Sequence, residues 1–122
     1  MADIDRFKAI NDHFGHQVGD RAIANVAHLL DHSLKTGIDV CGRPGGEEFI
    51  LVLPETNLAG AIQAAECLRT LLENTPFEDH PPILCSFGAA KATQYPTLEE
   101  AIGVADQALY AAKEAGRNRV ND

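Results

Sequence analysis

The chain has 122 residues, with 10 Lys+Arg against 18 Asp+Glu and a formal net charge of −8, a length that supports one domain with a sizeable core over residues 1–122. That charge argues against a nucleic-acid backbone or an anionic membrane as the main partner, while leaving room for a small anion held through metal ions and a few local cations. No apolar run is long enough to cross a bilayer and no leader pattern opens the sequence; Cys41, Cys67 and Cys85 share no metal-ligand spacing and read as buried, reduced thiols of a cytoplasmic protein.

In chain order, Asp3-Ile4-Asp5 sits at the end of a strand. From Gln17 to Lys35, Val18, Ala22, Val26, Leu29, Leu30 and Ser33 recur near helical spacing. Residues 38–42 and 48–53 flank Arg43-Pro44-Gly45-Gly46 and read as a β-hairpin. Pro54 and Asn57 open a second helix that turns Leu58, Ile62, Ala65, Leu68 and Leu72 inward; residues 81–90 form the next strand. Thr97 and Glu100 make a capping box for a last helix, which closes at Gly116 with Lys113 in its final turn. Strands alternating with helices predict an α/β (α+β) fold, a mixed sheet with helices packed on it.

The chemistry concentrates at Gly45-Gly46-Glu47-Glu48-Phe49, two glycines and two acids at a sharp turn ahead of Ile50-Leu51-Val52-Leu53. With Asp3-Ile4-Asp5 it supplies two carboxylate-bearing strand ends, which suits a divalent-metal phosphate site because Mg²⁺ takes hard oxygen ligands and keeps substrate phosphates in its shell. A turn without side chains also lets phosphate oxygens approach the backbone. Each residue has a bland reading as well. Asp3 and Asp5 are a candidate N-cap pair, Glu47 and Glu48 an acidic hairpin rim, Asn11 a turn former and Asp20 a helix-dipole acid, while Lys113 and Arg117 are C-terminal helix cations. Taken singly, these readings win; only the joint occurrence reverses them. His28 and His32 lie four residues apart on a helix, but Leu29 stands where a His-Glu-x-x-His metal motif needs its acid, so they read as a helical face.

Three motifs in order, residues 3–12 with Gly15-His16 and Gly19-Asp20, then the Gly-Gly-Glu-Glu-Phe run, then residues 112–118, resemble the GGDEF family of diguanylate cyclases in its GGEEF form. The resemblance spans nearly the whole chain. It implies the ferredoxin-like palm of nucleotide cyclases and a reaction that condenses two GTP to cyclic di-GMP and pyrophosphate. It also implies Mg²⁺, with Mn²⁺ as a substitute, held by Asp3, the carbonyl of Ile4 and Glu47. Glu47 and Lys8 would be catalytic, Glu47 by assisting deprotonation of the attacking 3′-hydroxyl and Lys8 by its charge on the phosphates. Asn11 and Asp20 would read the guanine edge, with His16 nearby and Ile23 as an apolar wall. Backbone N–H groups at Arg6 and Phe7, together with Lys113 and Arg117, would hold phosphate.

The family's inhibitory Arg-x-x-Asp pair corresponds to residues 36–39. Here Thr36 replaces Arg while Asp39 is kept, so product inhibition is expected to be lost. Turnover would require a homodimer, one GTP on each domain. The alternative is a catalytically inactive GGDEF-type module that binds GTP or a protein partner. Asp3 has only two residues before it, where the family has a helix and the first part of this strand, so a truncated first strand and a sheet gap filled by another molecule are expected.

Overall fold

The computed structural model describes residues 1–122. Its strands are β1 (Ala2–Ile4), β2 (Val40–Gly45), β3 (Glu48–Val52), β4 (Cys85–Gly88) and β5 (Val120–Asn121). They join in one mixed sheet of order β2-β3-β1-β4-β5, antiparallel except for the parallel β4–β5 pair. The helices are α1 (Phe7–Phe14), α2 (His16–Ser33), α3 (Leu58–Asn74) and α4 (Leu98–Glu114), with a short 3₁₀ turn at Ala92–Gln94. This is the mixed α+β architecture expected from the sequence, and β1 is short, three residues long.

β1 lies at the centre of the sheet, so both of its faces are covered. Ala2 and Ile4 share one face with Phe49, Cys85 and Phe87 and pack on Val26 and Leu30 of α2 and Leu68 and Leu72 of α3. Asp3 and Ser86, paired across the ladder, point to the opposite face, where α4 lies. Gly88 lets α4 approach: a Cβ there would fall 2.1 Å from the Ala105 carbonyl oxygen. Small residues Ala101, Ala105, Ala108 and Ala112 form the buried stripe of α4, which brings its axis close to the sheet.

Local chemistry explains the helix ends. Asn57 accepts from the Gly60 N–H at 2.8 Å to cap α3, and Thr97 accepts from the Glu100 N–H at 3.2 Å to cap α4, half of the expected capping box. Past α4, the Arg117 N–H reaches the Ala112 carbonyl and the Gly116 N–H reaches that of Lys113. This is a Schellman closure in which Gly116 takes φ +124°.

Several boundaries differ from the sequence reading. β2 begins at Val40 and runs through Pro44 to Gly45, so the turn is Gly46-Glu47; an edge strand tolerates Pro because its outward side needs no N–H. The strand expected over residues 81–90 is shortened to Cys85–Gly88. Ahead of it, buried His80 holds the chain to α2: one ring nitrogen lies 2.8 Å from the Pro81 carbonyl, the other 3.1 Å from the Asn25 amide, and the ring stacks on Phe77. Asp3 and Asp5 are not N-caps; α1 starts after Arg6, which caps it in a left-handed conformation (φ 53°) without a side-chain bond. In α2, Gly19, Ala22, Val26 and Leu30 form the buried stripe, and Ser33 is exposed, bonding back to the Leu29 carbonyl. Of the three cysteines only Cys85 is buried; Cys41 is half-buried, and Cys67 is exposed because it stands one position before the inward Leu68. Burial pushes the Cys85 thiol well above its ordinary range, which keeps it protonated and inert.

Candidate active site

Asp3 is the acid at the centre of the sheet. It lies opposite Glu48 of β3, and the next N–H along, that of Ile4, donates to the Glu47 carbonyl at 3.2 Å. The β1 end and the Gly46-Glu47 turn are thereby held side by side. Lys113, projecting from the last turn of α4, donates to Asp3 Oδ2 at 2.8 Å. The other carboxyl oxygen, Oδ1, is buried and has no hydrogen-bond partner. Burial pushes the Asp3 carboxyl above the ordinary carboxylate range; Lys113 pulls it down, and the negative charges of Glu47 and Glu48 push it further up.

A cation approaching Oδ1 would offset both the burial of the carboxylate and its repulsion by Glu47 and Glu48. No group of three or more His, Cys, Asp or Glu side chains forms a closed metal cage. An open set of two carboxylates and a carbonyl (Asp3, Glu47, Ile4) is instead what a Mg²⁺ ion carrying phosphate and water in its shell requires. The orphaned, buried Oδ1 and the all-oxygen donor set fit such an ion.

A second cluster forms where α1 meets α2. Gly19 is buried beneath Asn11, and a Cβ at Gly19 would lie 1.8 Å from Asn11 Oδ1. That oxygen is buried without a partner, and Asp20 follows directly after Gly19. His16 is exposed at the first position of α2, and Ile23 is half-buried, packed against the core. Arg6 and Lys8 are exposed at the β1–α1 turn, with Phe7 half-buried behind them. The Ala9 N–H of α1 reaches the Arg6 carbonyl at 3.0 Å, while the N–H groups of Phe7 and Lys8 precede the first intrahelical bond.

Asp5, paired with Asp3 in the sequence motif, has a different task. Its Oδ1 accepts from Ser86 Oγ at 2.6 Å and its Oδ2 from the Asn118 N–H at 2.9 Å. Asn118 in turn receives Arg69 of α3 at 3.2 Å and donates to Glu73 at 3.3 Å. Asp5 thus pins the turn after α4, in which Arg117 and Asn118 both have positive φ. Ser86 carries no motif-like spacing, and although Asn118 closes the motif at residues 112–118, nothing local in the sequence ties it to Asp5.

The structure therefore brings Asp3, Ile4, Glu47 and Lys113 together, and separately joins Asn11 to the stretch carrying Asp20. Arg6 and Arg117 line one groove of about 390 Å³ with Ile10, His13 and Pro82. No hydrogen bond or ion pair links the Asn11 cluster to Asp3. Asp39 closes its own loop, accepting from the Lys35 N–H at 2.9 Å. His28 and His32 are exposed with rings 3.9 Å apart, and His32 Nδ1 lies 2.9 Å from the His28 carbonyl.

Comparison with known proteins gives a consistent picture. The family model described as "Diguanylate cyclase, GGDEF domain" matches residues 1–119. Diguanylate cyclase VdcA of Vibrio cholerae is 41% identical over 126 residues, covering 98% of this chain and 37% of that protein. The chain thus spans little more than a third of that relative's length. Among solved structures, the active GGEEF domain of a diguanylate cyclase from Vibrio cholerae superposes with a TM-score of 0.89 at 38% identity, covering 98% of this chain and 78% of that one. The GGDEF domain of DgcB from Caulobacter crescentus, in complex with c-di-GMP, superposes with a TM-score of 0.88 at 34% identity, covering 98% and 73%.

Proposed function

Since the chain belongs to the GGDEF family of diguanylate cyclase domains, we propose that it is a catalytic unit, residues 1–122, which condenses two GTP into cyclic di-GMP with release of two pyrophosphates. Each of two such domains, facing one another, holds one GTP. The observation that carries this reading is the buried Asp3 carboxyl, bound to Lys113 through one oxygen and left with an unpartnered second oxygen beside the Glu47 turn.

In this reading Asp3, the Ile4 carbonyl and Glu47 hold Mg²⁺, or Mn²⁺ in its place. When bound, such ions neutralise the triphosphate and favour an in-line displacement at the α-phosphate. The residues supply the remainder. Glu47 takes the proton from the 3′-hydroxyl of the second GTP as its oxygen bonds to the α-phosphorus and pyrophosphate leaves. Lys8, Lys113, Arg117 and the backbone N–H groups at Arg6 and Phe7 hold the phosphates. The Asn11 amide and the Asp20 carboxylate read guanine, which offers a ring N–H and an amino group where adenine cannot match them, with His16 and Ile23 flanking the base. Thr36 cannot provide the guanidinium fork of an inhibitory site, and the local bond of Asp39 to Lys35 gives that carboxylate a structural use.

The test is to dimerise the chain artificially and incubate it with GTP and Mg²⁺. Cyclic di-GMP and pyrophosphate are expected, with no slowing when cyclic di-GMP is added. A chain whose melting temperature rises with GTP and Mg²⁺ but which yields no product would instead be a binding module. The Asn11 cluster gives a separate prediction. Gly19→Ala forces the Asn11 side chain away, so GTP affinity measured by calorimetry should fall roughly tenfold, the worth of about one hydrogen bond to the base. Unchanged affinity would remove Asn11 from the base site.

A further inference from the structure

The chain leaves α4 through Gly116, Arg117 and Asn118, at φ 124°, 66° and 45°. Glycine takes such angles freely and Asn tolerates them, but a long side chain there crowds its own backbone. Arg6, the only other non-glycine residue with positive φ, lines the same groove as Arg117 and Asn118. Residues in this conformation persist only where their surroundings hold them, and they gather at binding sites.

The surroundings of Arg117 hold its backbone on both sides. Its N–H reaches the Ala112 carbonyl at 3.0 Å, and its own carbonyl accepts from Arg119 Nε at 3.0 Å. The next N–H, that of Asn118, donates to buried Asp5 at 2.9 Å. The Asn118 amide is gripped from α3 as well: Arg69 donates to its oxygen at 3.2 Å, and its nitrogen donates to Glu73 at 3.3 Å. Arg69 is itself braced by Glu66 and Glu73, both at 3.0 Å. The Arg117 guanidinium, in contrast, makes no hydrogen bond or ion pair within the protein. In a chain of net charge −8 it shares its groove with Arg6, and the one acid lining that groove, Asp5, has both oxygens engaged. The backbone is thus fixed and the cation left available.

We propose, on the reading that Arg117 binds phosphate, that Asn118 is its positioning residue: clamped by Asp5 and by Arg69 and Glu73 of α3, it keeps Arg117 in the left-handed conformation that turns the guanidinium into the groove. A guanidinium grips phosphate as a planar fork, so its contribution depends on where its Cα stands and which way its Cβ points. Lys113 needs no such device, because it projects from α4 itself; Arg117 lies beyond the helix, where tertiary ties set its bearing. Reversing the chain into β5 requires positive φ alone, which glycine would supply, whereas the clamp from α3 sets in addition the direction in which Arg117 projects. With the clamp gone, Arg117 relaxes towards the broader regions open to an L residue and takes its side chain with it.

The experiment is a double-mutant cycle read by calorimetric titration of the full, undimerised chain with GTP and Mg²⁺. Arg117→Ala is expected to weaken GTP binding roughly tenfold, the worth of one charge-assisted contact, and Asn118→Ala, with Arg117 intact, by nearly as much. The double variant should bind no more weakly than Arg117→Ala alone, because Asn118 acts through Arg117. A merely looser fold would weaken binding in both backgrounds, so a further loss in the double variant overturns the proposal. A loss for Arg117→Ala with none for Asn118→Ala overturns it too, while leaving the phosphate role of Arg117 standing. Unchanged affinity in Arg117→Ala removes that role and the positioning with it. Asn118→Gly keeps the N–H bond to Asp5 and adopts φ 45° without crowding, yet abolishes the clamp from α3. It carries the same cycle, with the same expected pattern, should the Ala variant melt below the working temperature.

Discussion

Glu47→Gln is expected to lower cyclic di-GMP synthesis by the dimerised chain by roughly 10³-fold or more, a loss comparable to removing a principal electrostatic group from an active site. Gln keeps the shape of the side chain but neither attracts a divalent cation as a carboxylate does nor accepts the proton of the attacking hydroxyl. The fold should be indifferent. The Glu47 side chain makes no hydrogen bond or ion pair, and the contact that ties its turn to β1 uses the backbone carbonyl, which the substitution leaves in place. Removing its negative charge also relieves part of the upward push on Asp3, so the melting temperature of the ligand-free chain should hold or rise slightly. Undiminished synthesis alongside an unchanged melting curve would refute the proposed metal set.

Asp5→Ala acts on the other carboxylate of the motif in the opposite way, through stability. It leaves the Ser86 hydroxyl and the Asn118 N–H without their acceptor in a region from which water is excluded. Each unsatisfied buried donor costs about 1–3 kcal/mol, so a loss of about 3 kcal/mol is expected, equivalent to a fall of roughly 10 °C in melting temperature for a domain of this size. Asp5→Asn should recover more than half of that, because its oxygen can accept from Asn118 while its amide donates to the Ser86 oxygen. A thermal melt of both variants checks this. Equal losses for Ala and Asn would show that the negative charge, rather than the pair of bonds, is what matters at this position.

What the sequence disclosed and what it hid divide by distance along the chain. The hairpin joining β2 to β3, though not the exact bounds of its turn, the Asn57 and Thr97 caps and the close of α4 near Gly116 all depend on residues within a few positions of one another, and their chemistry is local. Asp3 and Asp5 look equivalent in the sequence, yet one is an acid with an unpartnered oxygen and the other a buried tie. The difference comes from Lys113, Ser86 and Asn118, which lie more than 80 residues away. β5, a pair of residues, exists only because β4 offers it an edge, and no periodicity can register in so short a segment. The resemblance already set Asn11 beside Asp20 of α2, but the role of Gly19 in that closeness was concealed for a related reason. Gly19 reads as a helix-weakening residue until the space it leaves for a neighbouring amide is seen.

The bond from Asp5 to the Asn118 N–H joins positions 113 apart in the chain. During synthesis the strand bearing Asp3 emerges well before the group that secures its far end. At about 5–20 residues per second, several seconds separate the two events. Until then the nascent chain carries an acidic strand whose anchor does not yet exist, so the strand locks only once position 118 has emerged.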